Sequence, residues 1–274
     1  MEWILQENIC QEEQWSDLVD RLKRRNIKHS VHKVVPFVGD LIPEPNISDN
    51  TKVWCMGSTA MQNVCRQNNW TPGVIDVPDV SECITRYGSK YLNHDCIIAP
   101  LKIWACQEKT TTNELHFVRP ANDSKFIAGQ LMKRNDLIDW AHRVVNLGEN
   151  DGSNVNRNSE LVVGPPKSIQ QEVRFWIVDG QIATYSLYKL GRTVTYSRSL
   201  VDNDFIWFAK SATSPMTTRF NGWEPAKAYC LDLCRDENDE IKIVEINNIN
   251  SSGLYDCDVD KLVTAIEGYF NRIS

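Results

Sequence analysis

Three stretches of this 274-residue chain carry residue types whose spacing suits chemistry on phosphates and carboxylates. The first is Ile241-Lys-Ile-Val-Glu-Ile-Asn-Asn-Ile-Asn-Ser-Ser-Gly253. Its alternation predicts a strand on which Glu245 and Asn247 share one face and Val244 and Ile246 the other. Just upstream, Tyr229-Cys-Leu-Asp-Leu-Cys234 predicts a neighbouring strand, joined through the acidic turn Arg235 to Glu240. Across such a hairpin Asp232 can stand opposite Glu245. Carboxylate and amide oxygens in this pattern suit Mg2+, which commonly uses one or two carboxylates together with nucleotide phosphates. A solvated strand face whose acids bind nothing has the same pattern.

The second stretch is Glu172-Val-Arg-Phe-Trp-Ile-Val-Asp-Gly180, where Glu172, Arg174 and Trp176 fall on one strand face. A carboxylate there can accept ribose hydroxyl protons, and a guanidinium can fork onto phosphate or carboxylate oxygens. A cross-strand salt bridge beside a core is the plainer alternative. Ser186 and Tyr188 share a face of the next strand and can donate hydrogen bonds. The third stretch, Phe117-Val-Arg-Pro-Ala-Asn-Asp-Ser-Lys-Phe-Ile-Ala-Gly129, ends a strand at Arg119-Pro120 and continues into a small polar loop holding Lys125. Such a loop can present N–H groups and a cation to phosphates, or be an ordinary surface loop with two basic residues. Neither GxxxxGK[ST] nor GxGxxG occurs in the chain.

The elements that must position these residues follow from periodicity and breakers. The first hundred residues alternate strand and helix: WILQENI and Lys52 to Met56 as strands, and Trp15 to Arg25 as a helix with Leu18, Val19 and Leu22 at helical spacing. His29 to Phe37 is a further strand, LIPEPNISDN a loop, and Thr59 to Gln67 and Asp79 to Tyr87 are helices. A small α/β layer with parallel strands fits this rhythm. The second half predicts strands at Leu115–Arg119, Glu160–Val163, Glu172–Val178, Gln181–Tyr188 after the Asp179-Gly180 turn, Ala228–Leu233 and Ile241–Ile246. Helices are expected at Asp136–Val145, with Leu137, Ile138, Ala141 and Val144 on one side, and at Asp258–Phe270. NLGENDGSNVNRNS reads as a loop. An α/β domain over 1–105 followed by an α+β domain over 106–274 with antiparallel sheets is the expected organisation.

Composition narrows the classes. With 42% hydrophobic and 24% charged residues the chain is an ordinary globular one, neither disordered nor a coiled coil. Lys and Arg total 30 against 36 acids, a net charge of −6 that disfavours nucleic acid as a partner. No run approaches the roughly 20 apolar residues of a membrane span, and the acidic start MEWILQENICQEEQW lacks the features of a signal peptide. A cytoplasmic protein is expected. Its nine cysteines, an odd number without a CxxC pair, read as reduced and mostly buried thiols. Cys230 and Cys234 lack the nearby His or Cys partners a zinc site needs.

Taken in order, the three stretches resemble the ATP-grasp superfamily, in its divergent clade common in bacteria and their phages. The matching features are FVRP-x4-K-x3-G at 117–129, E-x-RFWIVDG-x4-YS-x-Y at 172–188, and AYCLDL followed by VEINNINSSGLYDCD. They span roughly residues 100–274, while VWCMGS at 53–58 and YGSKYLNHD at 87–95 resemble the clade's N-terminal pre-grasp domain. The resemblance implies an ATP-dependent, ADP-forming carboxylate–amine ligase that works through an acylphosphate, with ATP and Mg2+ as cofactors and a small-molecule or peptide carboxylate and an amine as substrates. It implies phosphate binding by Arg119 and Lys125, an adenine hinge at Val162 and Val163, Lys167 near the nucleotide and Glu172 on ribose. Arg174 is then expected at the transferred phosphate or a substrate carboxylate, and Asp232, Glu245 and Asn247 at the metal. Ser186, Tyr188, Arg192, Arg198, Asn250 and Ser252 are the implied substrate surface. The sequence departs from the family where Asn122-Asp123-Ser124 replaces a glycine-rich loop. A nucleotide-binding module without ligase activity, and an enzyme attaching amino acids to a polymer, are the competing readings.

Overall fold

The computed structural model describes residues 1–7, 13–35, 39–122, 127–147, 155–214 and 223–272, the side chains of 13 and 14 excepted. Contacts divide the chain into two compact units, each assembled from separate stretches. The first comprises Met1–Val77, Gln171–Cys234 and Ile246–Ser274, the second Pro78–Gln170 and Arg235–Glu245.

The first unit opens with β1 (Glu2–Gln6), α1 (Glu13–Arg24), β2 (His29–Val34), β3 (Leu41–Ile42), β4 (Val53–Met56), α2 (Thr59–Gln67) and β5 (Pro72–Gly73). Its strands form a sheet in the order β3-β2-β1-β4-β5. β1 runs parallel to β2 and β4, β4 runs parallel to β5, and β3 is antiparallel to β2. The expected parallel layer is therefore present, with one antiparallel edge strand arising inside the segment read as a loop. β1 and β4 are buried along almost their whole length because a central parallel strand is covered on both faces. Trp3 and Trp54 pair in register, 6.0 Å apart, and face Leu18 and Leu22 of α1. Ile4 and Cys55 face the other way, into Met61, Val64 and Cys65 of α2.

The second unit contains α3 (Val80–Tyr87), β6 (Ile97–Pro100), α4 (Leu101–Ala105), β7 (Leu115–Pro120), β8 (Gln130–Lys133), α5 (Arg134–Asn146) and β9 (Glu160–Gly164). Asp79 caps α3 by accepting the Glu82 amide at 2.8 Å. The four strands form an antiparallel sheet in the order β6-β9-β7-β8. Leu137, Ile138, Ala141 and Val144 are all buried, the expected face of α5, and three of them pack with Leu101, Trp104, Val118 and Leu161. Ile97–Pro100, Leu101–Ala105 and Gln130–Lys133 were not expected from the sequence, each being too short to display a period.

The remaining elements are β10 (Ile169–Val178), β11 (Gln181–Leu190), β12 (Thr193–Ser197), α6 (Asn203–Thr213), β13 (Ala228–Asp236), β14 (Ile241–Asn247) and α7 (Val259–Phe270). Their sheet runs β12-β11-β10-β13-β14. Asp179 and Gly180 take φ of 51° and 70°, the left-handed pair that a tight hairpin between β10 and β11 requires. Trp176, Val178, Ala228 and Cys230 join Leu262, Val263, Ile266 and Phe270 of α7 and the Trp3 face of the first sheet in one core. The fold is thus a mixed sheet combined with two largely antiparallel ones, an α/β layer joined to α+β structure. Of the cysteines at described positions, Cys55, Cys65, Cys83, Cys230, Cys234 and Cys257 are buried outside any disulfide, Cys96 is half-buried and Cys106 exposed, as the sequence suggested. Among the described residues no helix is long and apolar enough to cross a membrane.

Candidate active site

In the first unit the polar centre is built on β10, β11 and β13. Arg174 lies opposite Ser186 in register and is buried with it. Its Nε donates to Asp232 Oδ1 at 2.8 Å and its Nη2 to Oδ2 at 2.7 Å, a two-pronged ion pair between β10 and β13. Asn247 adds its Nδ2 to Asp232 Oδ2 at 2.9 Å. Burial alone pulls the Arg174 pKa down, but the charge and hydrogen bonds of Asp232 hold it well above the ordinary value, so the guanidinium stays charged. Arg174 Nη1 makes no hydrogen bond among the described residues, leaving one corner of the fork able to meet an anionic oxygen.

Tyr255 lies under this guanidinium, 4.9 Å from ring centre to Arg174 Cζ, with Tyr188 at 5.8 Å. The Tyr255 ring is the middle of a stack, 5.2 Å from Tyr188 and 5.1 Å from Tyr196. Its φ of 46° is left-handed, which costs a non-glycine residue about 1–3 kcal/mol. Two aromatic pairs and a cation–π contact, each contributing about 0.5–1.5 kcal/mol, offset that strain. Sequence reasoning does not single out Tyr255, because nothing in LYDCD marks a left-handed aromatic.

Glu172 is buried and held at both oxygens: Tyr188 Oη donates to Oε2 at 2.7 Å and Lys189 Nζ to Oε1 at 2.6 Å. Burial, then the negative charges of Asp232 and Glu172, raise the Tyr188 pKa well above the usual phenol value despite Arg174. That phenol is therefore a fixed donor. Lys189 is also missed by sequence reasoning, although it faces Glu172 across the β10–β11 ladder.

The strand end after Asn247 is stitched by amides. Asn250 donates its Nδ2 to the carbonyls of Cys55 at 2.6 Å and Gly73 at 3.0 Å, while its Oδ1 accepts the Ile75 amide at 2.9 Å. Asn248 donates to the Ile75 carbonyl, and its side-chain oxygen accepts the amides of Asn250 and Ser251. Ser252 Oγ accepts from Trp176 Nε1 at 3.3 Å and donates to the Ile249 carbonyl at 2.9 Å. Asn250 and Ser252, both expected on a substrate surface, thus hold backbone and neighbouring side chains in place. Ser186 donates to the Leu187 carbonyl at 3.0 Å from a fully buried position. Arg192 is exposed in the β11–β12 turn. Arg198 lies 3.7 Å from Asp256 and 3.8 Å from Asp258.

In the second unit Arg119 on β7 donates through Nη1 to Glu245 Oε2 at 2.5 Å. Lys167 pairs with Asp95 at 2.5 Å. Val162 and Val163 are buried in the middle of β9, with β6 along one edge and β7 along the other. Their main-chain groups therefore face strand partners, and Gly164 closes the ladder opposite Phe117. Lys125 lies outside the described residues.

Whether these residues suit a divalent cation depends on the chemistry of their donor atoms. Among the described residues no three His, Cys, Asp or Glu side chains cluster to hold a metal. Mg2+ does not need such a cage, since one or two carboxylates with phosphate and water complete its shell. Asp232 and Glu245 are carboxylates, and Asn247, whose amide nitrogen serves Asp232, can offer a cation only its oxygen. These oxygen types suit magnesium, and each carboxylate is paired to an arginine of its own unit.

A family model described as an ATP-grasp domain, family 3 of its clade, matches residues 68–266. No curated protein matches the sequence. Among solved structures, D-cycloserine synthetase superposes with a TM-score of 0.56 at 13% identity, covering 98% of this chain and all (100%) of its own. D-alanine–D-alanine ligase from Bacillus anthracis, complexed with ATP, gives 0.52 at 12% identity over 97% and 96% of the two chains. A RimK domain protein from Sphaerobacter thermophilus gives 0.52 at 11% identity over 90% and 91%. At such identities these likenesses establish a shared fold.

Proposed function

Since the chain belongs to the ATP-grasp domain family matched over residues 68–266, we propose that it is an ATP-dependent, ADP-forming ligase joining a carboxylate to an amine through an acylphosphate. Similar folds include a D-alanine–D-alanine ligase complexed with ATP, which is consistent with a small carboxylate and amine as substrates. The observation that carries the reading is the buried Arg174–Asp232 pair with the Nη1 corner of Arg174 left open. A permanently charged guanidinium clamped in one orientation suits a developing negative charge on phosphoryl or carboxylate oxygen, because no reorganisation is needed as the charge forms.

In this reading Arg119, with Lys125, holds phosphate oxygens and Glu172 receives ribose hydroxyls. Val162 and Val163 hold the strand from which the backbone just beyond them meets adenine, with Lys167 nearby. Asp232, Glu245 and Asn247 hold Mg2+, which when bound supplies charge neutralisation on the phosphates. Arg174 orients the transferred phosphoryl group, and the stacked tyrosines keep water from the guanidinium. The acid carboxylate attacks the γ-phosphorus and ADP leaves. The amine then attacks the acyl carbon, phosphate leaves with the C–O electron pair, and the amine gives up a proton. The layout of segments 1–105 and 106–274 as pre-grasp and ATP-grasp domains belongs to the same proposal.

Release of ADP by the purified chain, screened over acids and amines with Mg2+ and ATP, tests this. Turnover that needs both substrates, and that falls at least about a hundredfold in Glu245→Gln and Arg174→Met, supports the assignment. ATP binding without turnover under any pairing would leave a nucleotide-binding module instead. Turnover dependent on a polymeric acceptor would select the polymer-modifying enzyme.

A further inference from the structure

The first unit holds a half-open cavity of about 240 Å³, and of its lining residues the resemblance placed Arg198 alone on a substrate surface. Asp17 and Arg21 of α1 line it together with Arg198, Asp256, Cys257 and Asp258. Most of these charges are already satisfied. Arg21 donates to Asp17 at 3.2 Å and also to Asp260. Asp258 caps α7 by accepting the Lys261 amide at 3.2 Å, and Lys261 Nζ lies 3.5 Å from its other oxygen.

Arg198 and Asp256 differ from the rest. Arg198 lies 3.7 Å from Asp256 and 3.8 Å from Asp258, ion pairs too long for hydrogen bonds, and neither Arg198 nor Asp256 makes any hydrogen bond among the described residues. Their side chains are 49% and 39% exposed, so both heads are accessible from the cavity. A guanidinium with open donors beside a carboxylate with open acceptors is complementary to a ligand bearing a carboxylate and an ammonium close together. Asp256 also follows Tyr255 directly, and the Tyr255 ring lies under Arg174. The Asp258 amide donates to Thr184 Oγ1 at 2.9 Å, which anchors this turn to β11.

We propose that this cavity binds a free α-amino acid, its carboxylate on Arg198 and its ammonium on Asp256. That the bound amino acid is a substrate rests on the ligase reading, whereas its binding does not. The cavity is small enough to take one amino acid and too small for a folded partner.

The test is calorimetric titration of the full chain, without ATP, against the twenty common α-amino acids at up to about 5 mM. At least one is expected to bind. Its N-acetyl and carboxamide derivatives, which each lose one charge, should bind at least about tenfold more weakly. Arg198→Gln and Asp256→Asn should each weaken the parent amino acid by a similar factor while leaving the melting temperature unchanged, since both residues are half-exposed. No binding at about 5 mM, or binding indifferent to both variants and both derivatives, overturns the proposal. The two readings fail separately. ADP release that is indifferent to Arg198 and Asp256 removes the cavity as the substrate site and keeps the ligase. Amino-acid binding with the expected variant effects but no ADP release keeps the cavity and removes the ligase.

Discussion

Replacing Asp232 by alanine strips the hydrogen-bonded counter-ion from Arg174, and the size of the effect follows from burial. The Arg174 and Asp232 side chains are 8% and 1% exposed, so water cannot replace the lost carboxylate. Removing one partner of a buried ion pair leaves an uncompensated charge and costs about 3–5 kcal/mol. Arg174→Ala should cost about the same, since Asp232 would lose its forked cation while the neutral Asn247 amide stays. Were the two effects independent, the double variant would lose about 6–10 kcal/mol, comparable with the whole stability of many domains. Because both variants abolish one and the same pair, the double variant Arg174→Ala with Asp232→Ala should instead lose about as much as either single one, well short of their sum. Urea unfolding followed by tryptophan fluorescence reads this directly, as Trp176 sits two residues from Arg174 on β10. A thermal shift of about 6–20 °C is the corresponding change in melting temperature. Single variants that lose under about 1 kcal/mol, or a double variant that loses their sum, would refute a coupled buried pair.

Two further outcomes concern the framework. Gly73 has a φ of +63°, and a Cβ there would stand 2.2 Å from the Trp70 carbonyl oxygen and 2.6 Å from Cys65 Sγ. Gly73→Ala should therefore destabilise by about 2–4 kcal/mol in urea unfolding, strain and overpacking together; a loss within about 0.5 kcal/mol, the scale of ordinary surface changes, would contradict it. The Cys83 thiol is pushed up to about 12, first by burial and then by Glu82 and Asp79. The unfolded chain loses that proton near about pH 8.5, so the stability contribution is intact below that pH and declines by about 1.4 kcal/mol per pH unit as pH rises toward about 12. Urea midpoints at about pH 8 and pH 10 should show a shallower decline in Cys83→Val than in the parent chain, and equal declines would remove Cys83 as the cause.

The sequence was most legible where one helix face or one strand face is buried against a single partner. Thr59–Gln67 and the apolar side of Arg134–Asn146 follow from spacing alone, because burial there repeats at the helical period. Thr193–Ser197 escaped since its strand is an edge whose apolar residues, Val194 and Tyr196, are the exposed ones, so its pattern marks no buried apolar face. Asn203–Thr213 escaped because Trp207, 65% exposed, stands inside the apolar run Phe205 to Ala209, which blurs its polar face. At the site, alternation named the face of Arg174 and of Asp232 but not that they would meet, as their strands are brought together by tertiary pairing across 58 positions. Glu172 is a subtler case. Counted straight back from the Val178–Gln181 pair at the hairpin turn, it would oppose Leu187, but two one-residue register shifts bring it opposite Lys189. Bulges of that kind follow from packing on both faces and leave no local sequence mark.

Two arginine–carboxylate pairs lie among the residues assigned to phosphate and metal, and their burial separates what each can do. Arg174–Asp232 is nearly dry and geometrically complete, so opening it to admit a cation would strand a buried guanidinium, which the several-kcal/mol penalty forbids. Arg119–Glu245 is 17% and 25% exposed, a setting in which the net gain of an ion pair is smaller and water can take over the released charge. Glu245 is therefore the carboxylate that can exchange its arginine for a cation, and Arg119 the guanidinium that can exchange its carboxylate for phosphate. In the proposed ligase reading Asp232 contributes through a guanidinium held still, with any metal contact made by oxygen lone pairs not occupied by Arg174. The exchange conserves charge: the acid trades one cation for another while the base trades one anion for another. A polyphosphate arriving with its divalent ion can make both trades at once.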